Sequence, residues 1–378
     1  MNATSNHAST VAGADTVRDD VVRDGQVDED TEGGSPQEVL HAVLADTASF
    51  FRGVLEDPIQ GRRARRMLAM RKLPLLSAED GIGCAPSGWN ALTRHLQGLG
   101  YTDEHLLAAG VSVTARTGNL IDRLRDRVTF AVHDSAGRVV AFTARAFPDD
   151  LAAAATEGRD LAKYVNTNET SLYVKSATLY GFTPRVLELL ANGAVPVLTE
   201  GSIDALAVTL AGRDTHVGLA SCGTALSEAH LLELDAVLQA RGTSLAERGV
   251  VVAFDSDPAG RSASTRAWSM LTARGVRPLE LALHGGEDPG STPRTQLAAA
   301  LESAEPLFLS LITDAITPWN GRLHEVAAQV FAVRAGLAYL RSTTNCDDIN
   351  RGVATIAART GVDVRFIVEE LLDIPELD

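Results

Sequence analysis

The chain has 378 residues, of which 45% are hydrophobic, enough for two or three domains with cores of their own. No apolar run approaches the ~18 residues of a membrane span, and the amino terminus MNATSNHASTVAGADTVRDD has no basic-then-apolar leader, so the expectation is a soluble, cytoplasmic protein with no membrane partner. Cys84, Cys222 and Cys346 lie far apart, which excludes a disulfide framework and a CxxC zinc knuckle, while a net charge of −15 argues against a nucleic-acid enzyme unless the charge is local.

Much of it is local. Positions 15–32 hold eight acids (Asp15, Asp19, Asp20, Asp24, Asp28, Glu29, Asp30, Glu32) against Arg18 and Arg23, a net of −6. Residues 1–36, rich in Ser, Thr, Gly and Asp and without aromatics, read as a disordered acidic tail. Positions 39–55 and 59–70 read as helices broken at Asp57 and Pro58, the second carrying Arg62, Arg63, Arg65 and Arg66 ahead of Arg71 and Lys72. Short helices follow at 89–98 and 103–109. Positions 127–132 and 138–144 alternate like an antiparallel pair, with 134–137 as the hairpin turn. A second basic group, Arg123, Arg125, Arg127, Arg138, Arg145 and Lys163, surrounds that pair, and the polar NTNET stretch reads as a loop. A local basic groove of this kind suits a phosphate backbone.

After a helix at 183–192, three acidic motifs follow, each where a buried strand gives way to a loop. In VPVLTEGSIDAL (195–206), a strand at 195–199 ends in Glu200, Gly201 permits a tight turn, Ser202 is the expected N-cap and Asp204 falls in the first turn of a helix at 202–211. A strand at 216–221, a Cys222-Gly223-Thr224 loop and a helix at 227–241 come next. In VVVAFDSDPAGR (250–261), the apolar run 250–254 has the pattern of a strand covered on both faces. Asp255 and Asp257 are two apart, so extended backbone would point both to one side, before Pro258 ends the strand and a helix spans 259–274. HGGEDPGS (284–291) contributes Glu287 and Asp288 on a Gly-rich loop. Singly, such an acid is most often a helix cap. Three in order on consecutive βα units lie where open α/β sheets bind ligands. Two carboxylates about 4 Å apart repel by roughly 4 kcal/mol at an effective dielectric of ~20, which implies a cation, and an all-oxygen set suits Mg²⁺ or Mn²⁺. The chemistry indicated is metal-assisted work on phosphate. Beyond Pro293 the pattern is helical: 295–303, 306–316, 324–341, 346–360 and 364–372.

Glu-Gly-x-x-Asp, then Asp-x-Asp-x-x-Gly-Arg, then Gly-Glu-Asp-Pro resembles the TOPRIM domain of bacterial DnaG-type primases. DRVTFAVHDSAGRVVAFTARAF (126–147), AKYVNTNET (162–170) and LYGF (179–182) resemble the basic amino-terminal half of the primase polymerase domain, and GIGCAPSGWNAL (81–92) its opening segment. The likeness is collinear over about residues 40 to 375. It implies an α/β protein, α+β overall: a Rossmann-like parallel TOPRIM sheet flanked by helices, preceded by a mixed α+β basic subdomain and followed by a helical one. The expected division is 1–36, the acidic tail; 37–182, the basic subdomain; 183–292, the TOPRIM domain; and 293–378, the helical subdomain.

The resemblance further implies a DNA-directed RNA polymerase of the primase type, a nucleotidyltransferase that makes short RNA primers from NTPs on a single-stranded DNA template in DNA replication. It implies Mg²⁺ or Mn²⁺, two ions, and no zinc. Glu200, Asp255 and Asp257 would be catalytic, and Glu200, Asp204, Asp255, Asp257 and Asp288 would hold metal, with Glu200 open to a general-base role. Arg127, Arg138, Arg145 and Lys163 would grip template or triphosphate. Tyr164 and Asn166 would contact base or sugar, Tyr164 being equally a core residue, and Arg261 would hold a phosphate or brace the acids. One departure stands out: replicative relatives commonly continue Gly-Glu-Asp-Pro with a second Asp, where this chain has Gly290, which weakens the second metal position unless Glu287 or water compensates. The zinc-binding and helicase-binding domains of the family are not recognised, so a replicative helicase, a relaxase or a separate template-recognition protein is the expected partner. Two alternatives stay open: a catalytically weak or inactive nucleic-acid-binding accessory protein of a mobile element, and a TOPRIM nuclease.

Overall fold

The structure, a computed structural model, describes residues 35–73, 80–283, 287–341 and 343–373; positions 1–34 of the acidic tail expected at 1–36, and 284–286 of the third motif, lie outside them. Pro36–Asp378 form one compact unit. Among the described residues no helix is long and apolar enough to cross a membrane.

The described residues form eleven strands: β1 Ile82–Ala85, β2 Ser112–Thr114, β3 Leu120–Asp122, β4 Arg127–His133, β5 Val139–Ala146, β6 Tyr164–Asn166, β7 Val195–Thr199, β8 His216–Ala220, β9 Val251–Ala253, β10 Leu279–Glu280 and β11 Glu305–Pro306. The expected hairpin is β4 and β5, antiparallel with Val128 opposite Arg145 and Phe130 opposite Thr143. Asp134 closes its turn by accepting from Ala136 N and Arg138 N, both at 2.9 Å. β1 adds to the outer side of β4 and β6 to β5, giving the order β1-β4-β5-β6. The helix Pro36–Glu56 covers one face, where Phe51 meets Phe142 edge-on at 5.4 Å. The ribbon β2–β3 supports the helix Ala91–Gly98 through the buried Asp122, which accepts from Leu92 N (2.9 Å) and Thr93 N (2.8 Å). β1, β6 and the ribbon carry no alternation long enough to predict them, and the first residue of the NTNET stretch, Asn166, belongs to β6 rather than to a loop.

The second sheet has the order β11-β10-β9-β7-β8, parallel except for β11. Its apolar runs are buried on both faces, as parallel strands require. Alternation sends Leu198, Leu219 and Val252 into one cluster with Leu234, Leu238 and Leu271, and Val197 and Val251 into another with Val208, Leu297 and Leu301. Tyr180 exchanges both backbone hydrogen bonds with Ala220 (2.8 and 3.0 Å), which ties the preceding segment to β8. Helices Leu307–Ile316, Val326–Leu337, Cys346–Thr360 and Val364–Asp373 pack around Ile312, Leu337, Ile356 and Ile367. Arg277, beside β10, holds them through two hydrogen bonds to the buried carboxylate of Asp348, one at 2.6 Å.

Candidate active site

Strand ends deliver the acids. Glu200 follows β7, and its Oε1 accepts from Asp255 N (3.3 Å), which ties the ends of β7 and β9 together. Asp204 stands in the first turn of the helix Ser202–Gly212. Gly201 caps that helix in place of the expected Ser202, which is already helical and fully buried. Asp204 Oδ1 accepts from Gly290 N (3.0 Å), so the loop of the third motif closes over the first.

Burial, and next the charge of Asp288, push Asp204 up to about 6. Burial followed by Asp255 raises Glu200, and burial followed by Asp288 and Asp257 raises Asp255. Asp288 Oδ1 is buried without a hydrogen-bond partner, with Arg71 Nη1 3.6 Å away. Carboxyl groups that hinder one another's ionisation, and an oxygen left without a donor, fit a hard divalent cation. They do not close on a point: among the described residues, no three acidic, imidazole or thiol side chains are arranged to hold a metal as they stand. Mutual repulsion separates them, and two are engaged elsewhere. Asp204 holds Gly290 N, and Asp257 is the N-cap of the helix Pro258–Thr272, accepting from Gly260 N (2.8 Å). The strand itself stops at Ala253, before the pair Asp255 and Asp257. The helix start folds back so closely that a Cβ on Gly260 would lie 1.9 Å from Asp255 O.

A cavity of about 390 Å³ joins the acids to the first sheet: Glu200, Asp204, Asp255 and Asp288 face Arg145, Lys163 and Tyr164. Arg145 is buried, donates from Nη1 to Tyr164 Oη (3.1 Å) and keeps Nε without a partner. Burial pushes the Tyr164 hydroxyl up to about 12. A neighbouring groove of about 410 Å³ is lined by Asn166, Arg123 and Lys175 and shares Tyr164 with the first cavity. Elsewhere on the amino-terminal half Arg125 stacks over Trp89 (4.3 Å), a residue 65% exposed, an aromatic and cationic surface suited to unstacked bases.

Other expected residues stand apart from the cavity. Arg127 is buried and donates to Ala162 O (2.9 Å) and Lys163 O (3.4 Å), so it supports the segment that presents Lys163. Arg138 immediately precedes β5, at the far end of the strand from Arg145 and about 23 Å away at the rise of a strand, and pairs with Asp134 at 2.9 Å. Arg261 donates to Ser256 O and lies 4.0 Å from Asp314; with Glu287 it faces another cavity, of about 280 Å³, that shares Phe254 and Asp255 with the first. Of the first basic cluster, Arg65 closes the end of the first helix by donating to Asp57 O (2.6 Å) and Pro58 O (2.9 Å), and Arg63 bridges Asp126 and Asp150. Arg71, Lys175 and Arg266 were not singled out as site residues. Helical spacing from Ala259 and Ala263 would have placed Arg266 on the cavity face, whereas Arg71 and Lys175 sit in irregular backbone with no periodic signal.

Acidic motifs at the ends of a parallel sheet, facing a basic antiparallel sheet across one cavity, define a Toprim protein with a primase-like amino-terminal half. Residues 50–185 match the DNA primase catalytic core, N-terminal domain, and residues 197–292 match a Toprim-like family. The chain belongs to the DnaG-type primases. It is 39% identical over 230 residues to the DNA primase of Mycobacterium tuberculosis, covering 61% of this chain and 34% of that protein. It is 32% identical over 330 residues to the DNA primase of Mycolicibacterium smegmatis, covering 83% of this chain and 48% of the relative. The chain thus spans between a third and a half of the curated relatives it matches. Among solved structures, the RNA polymerase domain of Mycobacterium tuberculosis primase DnaG in complex with double-stranded DNA superposes with a TM-score of 0.69 at 31% identity, over 86% of this chain and 98% of that one. A DNA primase domain from Pseudomonas aeruginosa gives 0.64 at 26% identity, over 88% and 99%. Toprim primases generally use divalent metal ions, in keeping with the donor set.

Proposed function

We propose that this chain is a template-directed RNA polymerase core that makes short primers on single-stranded DNA from NTPs. The observation that carries the proposal is one cavity of about 390 Å³ with four carboxylates on one wall and Arg145 and Lys163 on the other. Acids alone hold cations; the opposed pair of walls holds a nucleoside triphosphate together with the cations that neutralise it.

Glu200, Asp204, Asp255 and Asp288 would hold Mg²⁺ or Mn²⁺, in one or two positions, with Asp257 supporting from its cap. Bound there, the metal supplies a lowered pKa for the attacking 3′-hydroxyl and charge neutralisation for the pyrophosphate. Lys163 and Arg145 orient the triphosphate across from the acids, and Arg127 keeps Lys163 in place through the backbone on which it rides. Arg266 reaches the same cavity from the Toprim side. The groove with Arg123, Lys175 and Asn166 takes the template strand, and the stacked pair of Trp89 and Arg125 offers a further surface for unstacked bases. That the Mycobacterium tuberculosis domain was solved in complex with double-stranded DNA supports nucleic-acid binding by this fold. Positioning and electrostatics do most of the catalytic work in such a site.

The test is to incubate the chain with single-stranded DNA, labelled NTPs and Mg²⁺ or Mn²⁺, alongside Asp255→Ala. Complementary oligoribonucleotides from the wild type, and none from the variant, are expected. No template-dependent product under any metal condition would reduce the chain to a nucleic-acid-binding accessory; product at the wild-type rate from Asp255→Ala would remove the site assignment.

A further inference from the structure

The two cavities share a wall. Tyr164, Cys222 and Gly223 line both, and the loop at 221–224 that carries two of them is held from two directions. Ser221 Oγ donates to Thr224 O (2.8 Å) and Thr224 Oγ1 donates to Ser221 O (3.0 Å), closing the loop on itself. From the groove, Asn166 Nδ2 donates to Cys222 O and Lys175 Nζ donates to Gly223 O, both at 3.3 Å. The carbonyl and the following N–H of a trans peptide point in opposite directions, so the hold on Cys222 O turns Gly223 N–H away from its partner Asn166. Cys222 is buried and takes a φ of 48°, a left-handed conformation uncommon for a residue with a side chain. Such a conformation persists only while its surroundings enforce it. Two of the enforcing side chains, Asn166 and Lys175, face the groove, and the Oδ1 of Asn166 is shielded there without a partner.

Resting on the polymerase reading above, we propose that the 221–224 loop is a positioning element that couples the template groove to the nucleotide cavity. A strand in the groove draws on Lys175 and Asn166 through its phosphates and bases, and the loop they hold resets the shared wall of the cavity. The effect is reciprocal: strand and nucleotide tighten one another by the same factor. It needs no base pair between them, which separates it from ordinary template-directed selection.

The experiment measures affinity of the full chain, with divalent metal, for a fluorescent CTP derivative in the absence and presence of saturating oligo(dT), which does not pair with cytosine. Tightening by about fivefold or more is expected with the strand, and the same factor for oligo(dT) when CTP is added. Ser221→Ala, which removes one of the two hydrogen bonds that close the loop, should bring that ratio towards one; Cys222→Gly, which releases the left-handed residue, provides a second variant should the first lose its cooperative melting. Equal CTP affinity with and without strand, while the wild type binds both, overturns the coupling and leaves the polymerase reading standing. An unchanged ratio in both folded variants overturns the role of the loop. Failure of the wild type to bind either ligand overturns the polymerase reading and the coupling with it.

Discussion

Gly290 lies between two acids of the site, and the space around it explains why no side chain is found there. A Cβ would approach Ile203 Cγ2 to 2.7 Å and Asp204 Oδ1 to 2.8 Å, and Ile203 is fully buried and cannot yield cheaply. The position therefore supplies a backbone donor to Asp204 in place of a further carboxylate. Gly290→Asp is predicted to lower stability by about 1–3 kcal/mol and to leave divalent affinity no better, as read from melting curves and Mn²⁺ titration; tighter binding at unchanged stability would contradict this. Asp257 separates its two roles in a similar way. As the N-cap that accepts from Gly260 N, its replacement in Asp257→Ala should cost about 1 kcal/mol of stability, whereas Asp257→Asn keeps the acceptor and should melt near the wild type. That the acids gather at strand ends was legible in the order of the three motifs. That Asp257 caps a helix was not separable from a ligand role, because the same Asp-x-Asp-Pro spelling serves a strand end and a helix start.

Elements legible from periodicity are the long ones: the helix Cys346–Thr360 is found where its apolar spacing placed it, and the β4–β5 hairpin where alternation and its turn placed it. Short strands escaped because their pairing is non-local; β1 exists only against β4 and β6 only against β5. Strand length also explains the uneven fate of the basic residues, since β5 puts Arg138 and Arg145 at opposite ends and only the latter meets the acids. A different tie joins the helix Glu228–Gln239 to the segment between β6 and β7: Glu233 Oε2 accepts from Leu179 N at 2.7 Å. Burial raises the Glu233 carboxyl to about 7 from its ordinary 4.5. The folded form thus binds this proton more tightly than the unfolded chain. Its contribution is fully present below about pH 4.5 and is lost as pH rises towards about 7. Urea midpoints of the wild type should fall relative to Glu233→Gln across that window, and parallel curves for the two proteins would refute the assignment.

For the whole molecule, the net charge of −15 conceals a division of labour. Acids at the ends of the parallel sheet face cations from the antiparallel one, and the groove beside them adds Arg123 and Lys175. Binding to single-stranded DNA should accordingly weaken steeply with salt, and Lys175→Ala should reduce the magnitude of the log–log slope by about one while lowering affinity for every strand sequence alike. A slope unchanged by that substitution would place the strand elsewhere. Chain order and residue types were enough to anticipate both walls of the site; the distances that join them depend on how two sheets meet, which no local pattern encodes. The account stands on those walls acting as one polymerase site. Its most direct measurement is the initial rate of complementary dinucleotide formation on a defined single-stranded template for the wild type, Asp255→Asn and Lys163→Ala. Both variants are predicted to lose roughly a hundredfold or more, at unchanged melting temperature; a wild-type rate in either would contradict the account.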